Sequence, residues 1–263
     1  VMSNLEKLRS LFTILRKEMV RFFRIYIQTF ISPAIVITLY FIIFGNLIGS
    51  RIGQMGGFNY VQFMAPGLIL MSVITNSYGN VVSSFFNAKF TKSIEELLVT
   101  PIPNHIILTG WVAGGVARGL LVGVVVTAIS LFFTEIIIEN IALTVLAVVL
   151  TSILFSLLGF LNAFFAETFD HISIVPNFVL TPLIYLGGVF YSIHLLPEFW
   201  KNISLVNPLM YMINAFRHGM LGTSDLETLG FSVNFAIFMM IVFITIIYSV
   251  ALWLLNSGRG IRS

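Results

Sequence analysis

The sequence predicts an all-α membrane protein, and three observations carry that expectation. Of its 263 residues, 58% are hydrophobic and only 10% charged, so no single soluble core could hold the apolar side chains and lipid must be their solvent. The mean hydropathy is +1.00. The apolar runs are long and nearly continuous rather than short and alternating, which selects helices over a barrel as the spanning elements. There is no cysteine, which removes disulfide and thiolate chemistry. No linker, repeat or low-complexity tract divides the chain, so residues 1–263 read as one membrane domain.

Residues 1–25 are expected to form an interfacial helix rather than a cleavable signal. Leu5, Leu8, Phe12, Leu15, Met19 and Phe22 recur at three- and four-residue spacing, and Lys7, Arg9, Arg16, Lys17, Arg21 and Arg24 fall largely elsewhere on the wheel. Such a basic amphipathic helix lies flat among anionic headgroups. A nucleic-acid arm or calmodulin target fits poorly, because a span follows directly. Six spans are then expected, at 26–47, 61–85, 106–133, 141–166, 172–191 and 231–255, each meeting the roughly 20 residues a bilayer needs. Alternating them puts the N-terminal helix, Lys89, Lys92, Arg259 and Arg262 on one side and leaves Arg51, Lys201 and Arg217 on the other. The basic side is the cytoplasm, so both termini are expected inside.

Between the second and third spans, residues 87–103 read NAKFTKSIEELLVTPIP. Ser93 is a candidate cap, Glu96 follows three residues later, Leu97 and Leu98 follow that, and Pro101 and Pro103 stop the helix. Together Ser93, Ile94, Glu95, Glu96, Leu97 and Leu98 resemble a docking surface. The alternative is an ordinary helix on the bilayer surface, which Glu95 and Glu96 oppose, because anionic lipid repels carboxylates.

Residues 193–222, between the fifth and sixth spans, are too apolar for a solvated loop. Pro197 can open a short helix carrying Trp200, and Asn207 with Pro208 is a cap followed by a first-turn proline. Tyr211, Phe216 and Arg217 lie in the helix that follows, whose apolar stripe includes Leu209, Met212 and Met220. Two re-entrant helices fit, as do two helices lying flat on the outer surface.

The spans carry few polar groups. Arg118, near the middle of the third span, costs about 2.5 to 3.5 kcal/mol to insert, which the apolar residues around it outweigh. It must face protein or water, as a contact for an anionic substrate, as a partner for Glu167, or as a pin between helices. Asn76, Ser77 and Asn80 of the second span, Asn177 and Thr181 of the fifth, and Gly187 are candidates for a route through the protein, with interhelical hydrogen bonding as the alternative role of the polar ones. No GxxxxGK[ST] phosphate loop or GxSxG elbow occurs. His105, His171, His194 and His218 are scattered without metal-site spacing. No catalytic, cofactor or metal site is therefore expected.

The stretches IEELLVTPIP, PLIYLGGVFYSIHLLPEFW and NPLMYMINAFR, in that order, resemble the permease subunit of type-2 ABC transporters, and with LYFIIFGNLIGSRIG and SSFFNAKFTKSIEELL resemble the YadH type of bacterial inner-membrane permease. The resemblance implies a homodimer bound to two copies of a cytoplasmic ABC ATPase. That partner, not this chain, would use ATP and Mg. It further implies that Ser93–Thr100 is the coupling helix and that the apolar segment before the last span is re-entrant. An exporter permease is the function expected. An ion-coupled secondary transporter would need titratable groups near the midplane, whereas Glu135, Glu139, Glu167 and Asp170 sit at ends or turns. A non-transport scaffold would leave the charged helix at Ser93 unexplained.

Overall fold

A computed structural model describes residues 2–257 of the chain. Helix α1 (Asn4–Arg24) opens on a capping box in which the Ser3 amide donates to Glu6 Oε2 at 2.7 Å and the Glu6 amide donates to Ser3 Oγ at 3.3 Å. The box satisfies orphan amides of the first turn, and the Ser3 amide and hydroxyl, both donating to Glu6 Oε2, hold the Glu6 carboxyl below its usual range. Helix α2 (Ile27–Ile52) follows, and a two-stranded ribbon, β1 (Gln54–Met55) and β2 (Phe58–Asn59), turns the chain through Gly56 and Gly57, both at positive φ. Then come α3 (Tyr60–Phe90), the short α4 (Ser93–Leu98), α5 (Asn104–Ser130), α6 (Ile141–Phe165) and α7 (Phe169–Leu186). A 3-10 turn at Ile193–Leu195 leads to α8 (Glu198–Val206), α9 (Pro208–Leu221), α10 (Asp225–Thr228) and α11 (Val233–Ser257).

Five of these helices are long and apolar enough to cross a membrane: α2, α5, α6, α7 and α11. Helix α3 is longer still, 31 residues and so about 46 Å at 1.5 Å per residue. It is the centre of the bundle, buried against α5 and α6 along most of its length. Close approach to α5 depends on glycine: a side chain at Gly119 would collide with Ser77 Oγ of α3. Such small-residue contacts are how helices pack where lipid supplies no hydrophobic driving force.

The expected spans shift in detail. The first continues past Leu47 to Ile52, because two π-helical stretches, Ile27–Ile31 and Phe41–Ile48, lie within one continuous helix. A third, Pro176–Leu180, lies in α7. Two of the three immediately precede a helix carrying proline in its first turn, Pro33 or Pro182; a wider turn there moves the carbonyl that the proline ring would strike. The fifth span stops at Leu186 instead of Tyr191, since Gly188 takes φ +79 and turns the chain away. Arg259 and Arg262, on which the C-terminal orientation rested, lie outside the described residues.

The end of the bundle opposite α4 is knitted around Arg217 of α9, which is fully buried. Its Nη2 donates to the Gly188 carbonyl at 2.7 Å, Nε to the Phe63 carbonyl at 3.3 Å and Nη1 to Asn214 Oδ1 at 3.2 Å, with its guanidinium 3.9 Å from the Phe63 ring centre. One side chain thus joins α9, α3 and the end of α7. Asn207 caps α9 through the Leu209 amide at 3.0 Å and donates to the Leu183 carbonyl at 2.6 Å. The Glu139 and Asn140 amides bind the Met220 and Gly219 carbonyls, satisfying the last turn of α9. Replacing Arg217 by Met should leave those buried acceptors unpaired at a cost of about 3 kcal/mol, seen as a lower melting temperature in detergent; an unchanged melt would show that these bonds do not hold α9.

Candidate functional site

The site expected to bear function is at the other end of α3, where the chain leaves the bundle and re-enters it. Helix α3 ends with the Thr91 amide on the Asn87 carbonyl at 2.9 Å and the Lys92 amide on the Lys89 carbonyl at 3.1 Å. Lys92 then takes the left-handed conformation, φ +58, which costs a side-chain-bearing residue roughly 1 to 2 kcal/mol. This residue, and not Ser93, occupies the N-cap position of α4. Ser93 Oγ instead donates back to the Ala88 carbonyl at 3.3 Å. A seryl cap needs extended backbone before the first helical residue, and the tight reversal at Lys92 leaves no room for one.

The reversal fixes which face of α4 looks outward. Ile94 is buried, and Leu97 and Leu98 are half-buried against the core of the same chain. Glu96 is exposed and Glu95 partly so, while Val99 just beyond the helix is 85% exposed. The outward apolar residue is therefore Val99 more than the leucine pair, a residue the sequence did not single out. A short helix held on one side by Ile94, and bearing carboxylates and a valine on the other, can receive a push without rolling.

Two further attachments brace this corner. The Lys89 ammonium donates to the Phe164 and Ala166 carbonyls at 2.7 and 2.9 Å, closing the open C-terminal end of α6. Second, α1 is clamped to α3 and α5 through Glu18, which is fully buried. Its carboxylate accepts from Ser84 Oγ at 2.5 Å, Arg21 Nε at 3.2 Å and Asn80 Nδ2 at 3.4 Å. Arg21 also donates to Asn80 Oδ1 at 2.6 Å and to the Asn80 carbonyl at 2.8 Å, and Trp111 Nε1 donates to Ser84 Oγ at 3.2 Å. Glu18 was missed from sequence, although an acid three residues before Arg21 and four after the buried Ile14 was a usable signal. The face of α1 that packs on protein is Ile14, Glu18 and Phe22, while Leu5, Leu8 and Phe12 stay exposed.

The candidate route residues do not share one surface. Asn76, Ser77 and Asn80 are buried inside the chain, Asn80 within the Glu18 clamp. Asn177 is exposed on α7. Thr181 donates to the Pro176 carbonyl at 2.8 Å, and a side chain at Gly187 would meet Ile213 at 2.8 Å. Bulky groups at Asn80 or Gly187 would therefore disturb packing as well as any passage. Arg118 is buried, with its Nε unpartnered, and it makes no ion pair with Glu167, which is exposed and faces Lys89 instead. Of the residues singled out between 193 and 222, Asn207, Phe216 and Arg217 are buried, Pro208 and Tyr211 partly so, and Pro197 and Trp200 lie at the exposed start of α8.

Two expectations check this geometry. Lys92→Gly should relieve the left-handed strain and stabilise the fold by up to about 1 kcal/mol, read as a raised melting temperature; a drop would contradict the strained turn. Glu18→Ala should leave Arg21 without its partner and lower the melt by the equivalent of about 3 kcal/mol; an unchanged melt would remove the clamp.

The profile of the ABC-2 type transporter family matches residues 9–221. The chain is similar to the inner membrane transport permease YadH of Escherichia coli strain K12, with 57% identity over 247 residues, 94% of each chain. It is also similar to nodulation protein J of Rhizobium leguminosarum bv. viciae, with 24% identity over 179 residues, 68% of this chain and 69% of that one. Nodulation protein J of Rhizobium meliloti strain 1021 is 23% identical over 180 residues, with 68% and 69% covered.

Proposed function

This chain belongs to the ABC-2 type transporter family and is the membrane permease subunit of an ABC transporter, partnered by an ATP-binding subunit; from that premise we propose that it is an exporter permease driven through α4. In this reading α3 is a sixth span, both termini and α4 face the cytoplasm, and α8 with α9 re-enters from the outer side. Two permease protomers pair, and each receives one ATPase. The chain itself binds no nucleotide, and ATP with Mg is used by the partner.

The observation that carries the reading is the reversal at Lys92. It joins α4 to the longest helix of the bundle through only two residues, Thr91 and the left-handed Lys92, while α4 is anchored by Ile94 and turns Glu96 and Val99 outward. ATPase closure then pushes on α4, Lys89 passes the movement to the end of α6, and the Glu18 clamp takes it to α1. A secondary transporter is less well supported. Among the described residues the buried carboxylates are Glu18 and Asp225, and both are engaged by fixed donors, Asp225 by Ser192 Oγ at 2.8 Å and the Ile193 amide at 2.9 Å.

Glu95→Lys with Glu96→Lys should mispair charge at the docking face, and Val99→Asp should bury a carboxylate there. Each should weaken capture of the ATPase about tenfold or more and abolish transport-linked ATP hydrolysis in proteoliposomes, with the permease still inserted. Leu97→Ala and Leu98→Ala are weaker tests, because both side chains also pack on their own chain. Normal capture and turnover by the charge-reversed variant would take α4 out of the mechanism. Orientation can be read directly, since the chain has no cysteine: single cysteines at Ser3 and Gln54 should label from opposite faces, Ser3 from the cytoplasm, and labelling of both from one face would sink the topology.

A further inference from the structure

A cavity of about 500 Å³ lies between α3, α6, α7, α9 and α11, within the size range of small-ligand sites. Its wall at one end is formed by Leu183, Leu209 and Met212 and at the other by Tyr78 and Asn162. Those last two are its only polar side chains. Asn162 lies one turn before Ala166, the residue whose carbonyl Lys89 holds, so the polar end is the one nearer α4.

The Tyr78 hydroxyl is the unusual group. Its side chain is 3% exposed, and the hydroxyl lies beside Asn162. The Asn162 amide nitrogen donates to the Ile172 carbonyl at 3.1 Å, and although the Asn162 side chain is close enough to influence the Tyr78 hydroxyl, the two are not aligned for a hydrogen bond. Repacking cannot easily move it, because a side chain at Gly159 would stand only 2.6 Å from the Tyr78 carbonyl: α6 presses directly on that backbone. A buried hydroxyl without a partner is costly and calls for explanation.

The wall decides what can occupy the space. A water needs two to four polar partners, so the wall could hold one only beside Tyr78 and Asn162, and the rest of the space is lined by hydrocarbon. Phe165 and Val179 line it and are also exposed on the helical surface, so it communicates with the apolar phase around the spans. We propose that this cavity binds one hydrocarbon chain of a membrane amphiphile, the chain lying between α6, α7 and α9 and an oxygen of its polar group hydrogen-bonded to Tyr78. The chain displaces no ordered polar contact on entry, and the head group supplies the partner that the Tyr78 hydroxyl lacks. This site is distinct from the coupling corner and requires no ATP-driven step.

The test uses the full permease with its ATPase in phosphatidylcholine nanodiscs and two photoreactive probes, dodecanol and dodecane, each carrying a diazirine at the chain end. Dodecanol should label saturably, with cross-links mapped by mass spectrometry to the Leu209–Met212 turn. Tyr78→Phe should weaken dodecanol labelling about fivefold, the worth of one ordinary hydrogen bond, while dodecane labelling stays unchanged. Leu158→Trp, which fills the cavity, should reduce both. Should that variant fail to fold, the alcohol-to-alkane comparison in Tyr78→Phe decides alone, since removing an unpaired hydroxyl leaves the packing intact. Non-saturable labelling no richer at α9 than around the exposed Phe238 of α11 would overturn the proposal, as would equal dodecanol affinity in Tyr78→Phe. None of these outcomes bears on ATPase capture, so the site and the coupling mechanism stand or fall separately.

Discussion

Where the surroundings are hydrocarbon, a polar group has no partner but another part of the chain, and the fold is arranged around meeting that demand at the two ends of α3. At one end Glu18, Arg21, Asn80 and Ser84 close on one another. At the other, Arg217 spans α9, α3 and the end of α7. Each cluster joins elements far apart in sequence, since a guanidinium offers five donors and can reach several carbonyls at once. Between them α3 is held by apolar packing and by glycine contacts with α5 and α6, which position helices closely without fixing their ends.

The two clusters give the permease different kinds of stiffness. The Arg217 cluster uses backbone carbonyls as acceptors, so it sets the path of the chain itself at the end of α7. The Glu18 clamp is made mostly of side chains, with Arg21 27% exposed at its edge. A mechanism driven through α4 needs one end of α3 to be pushed while the other stays registered, and this distribution matches that need. Lys89 belongs to the same logic: it binds the end of α6 through carbonyls that a helix C-terminus leaves open, which ties α3 to α6 at that end.

The proposed hydrocarbon site fits among these supports without sharing their polar groups. Tyr78 lies on α3 between the two clusters, near the α6 end that Lys89 closes. An amphiphile bound there would rest against α9, the helix that Arg217 holds in place. Its contacts with these helices are made through packing and not through charge.

The sequence by itself determined the helical membrane class, the short charged helix at Ser93 and the cap at Asn207, because each is written in periodicity, composition or a local residue pair. It also carried the family resemblance through IEELLVTPIP and NPLMYMINAFR. Only the tertiary structure decided which faces those elements present. Ser93 looked like a cap until Lys92 was found in the left-handed turn, and the leucine pair looked outward until Ile94 was found buried, which rolls Leu97 and Leu98 half inward and leaves Val99 exposed. Asn80 reads as a route residue and Glu167 as one of three alternatives for Arg118, yet Asn80 binds Arg21 and Glu167 lies by Lys89. The reason is the same in each case: hydrophobic period locates a helix along the chain, while its rotation and its polar partners are set by contacts between residues such as Glu18 and Ser84, 66 positions apart.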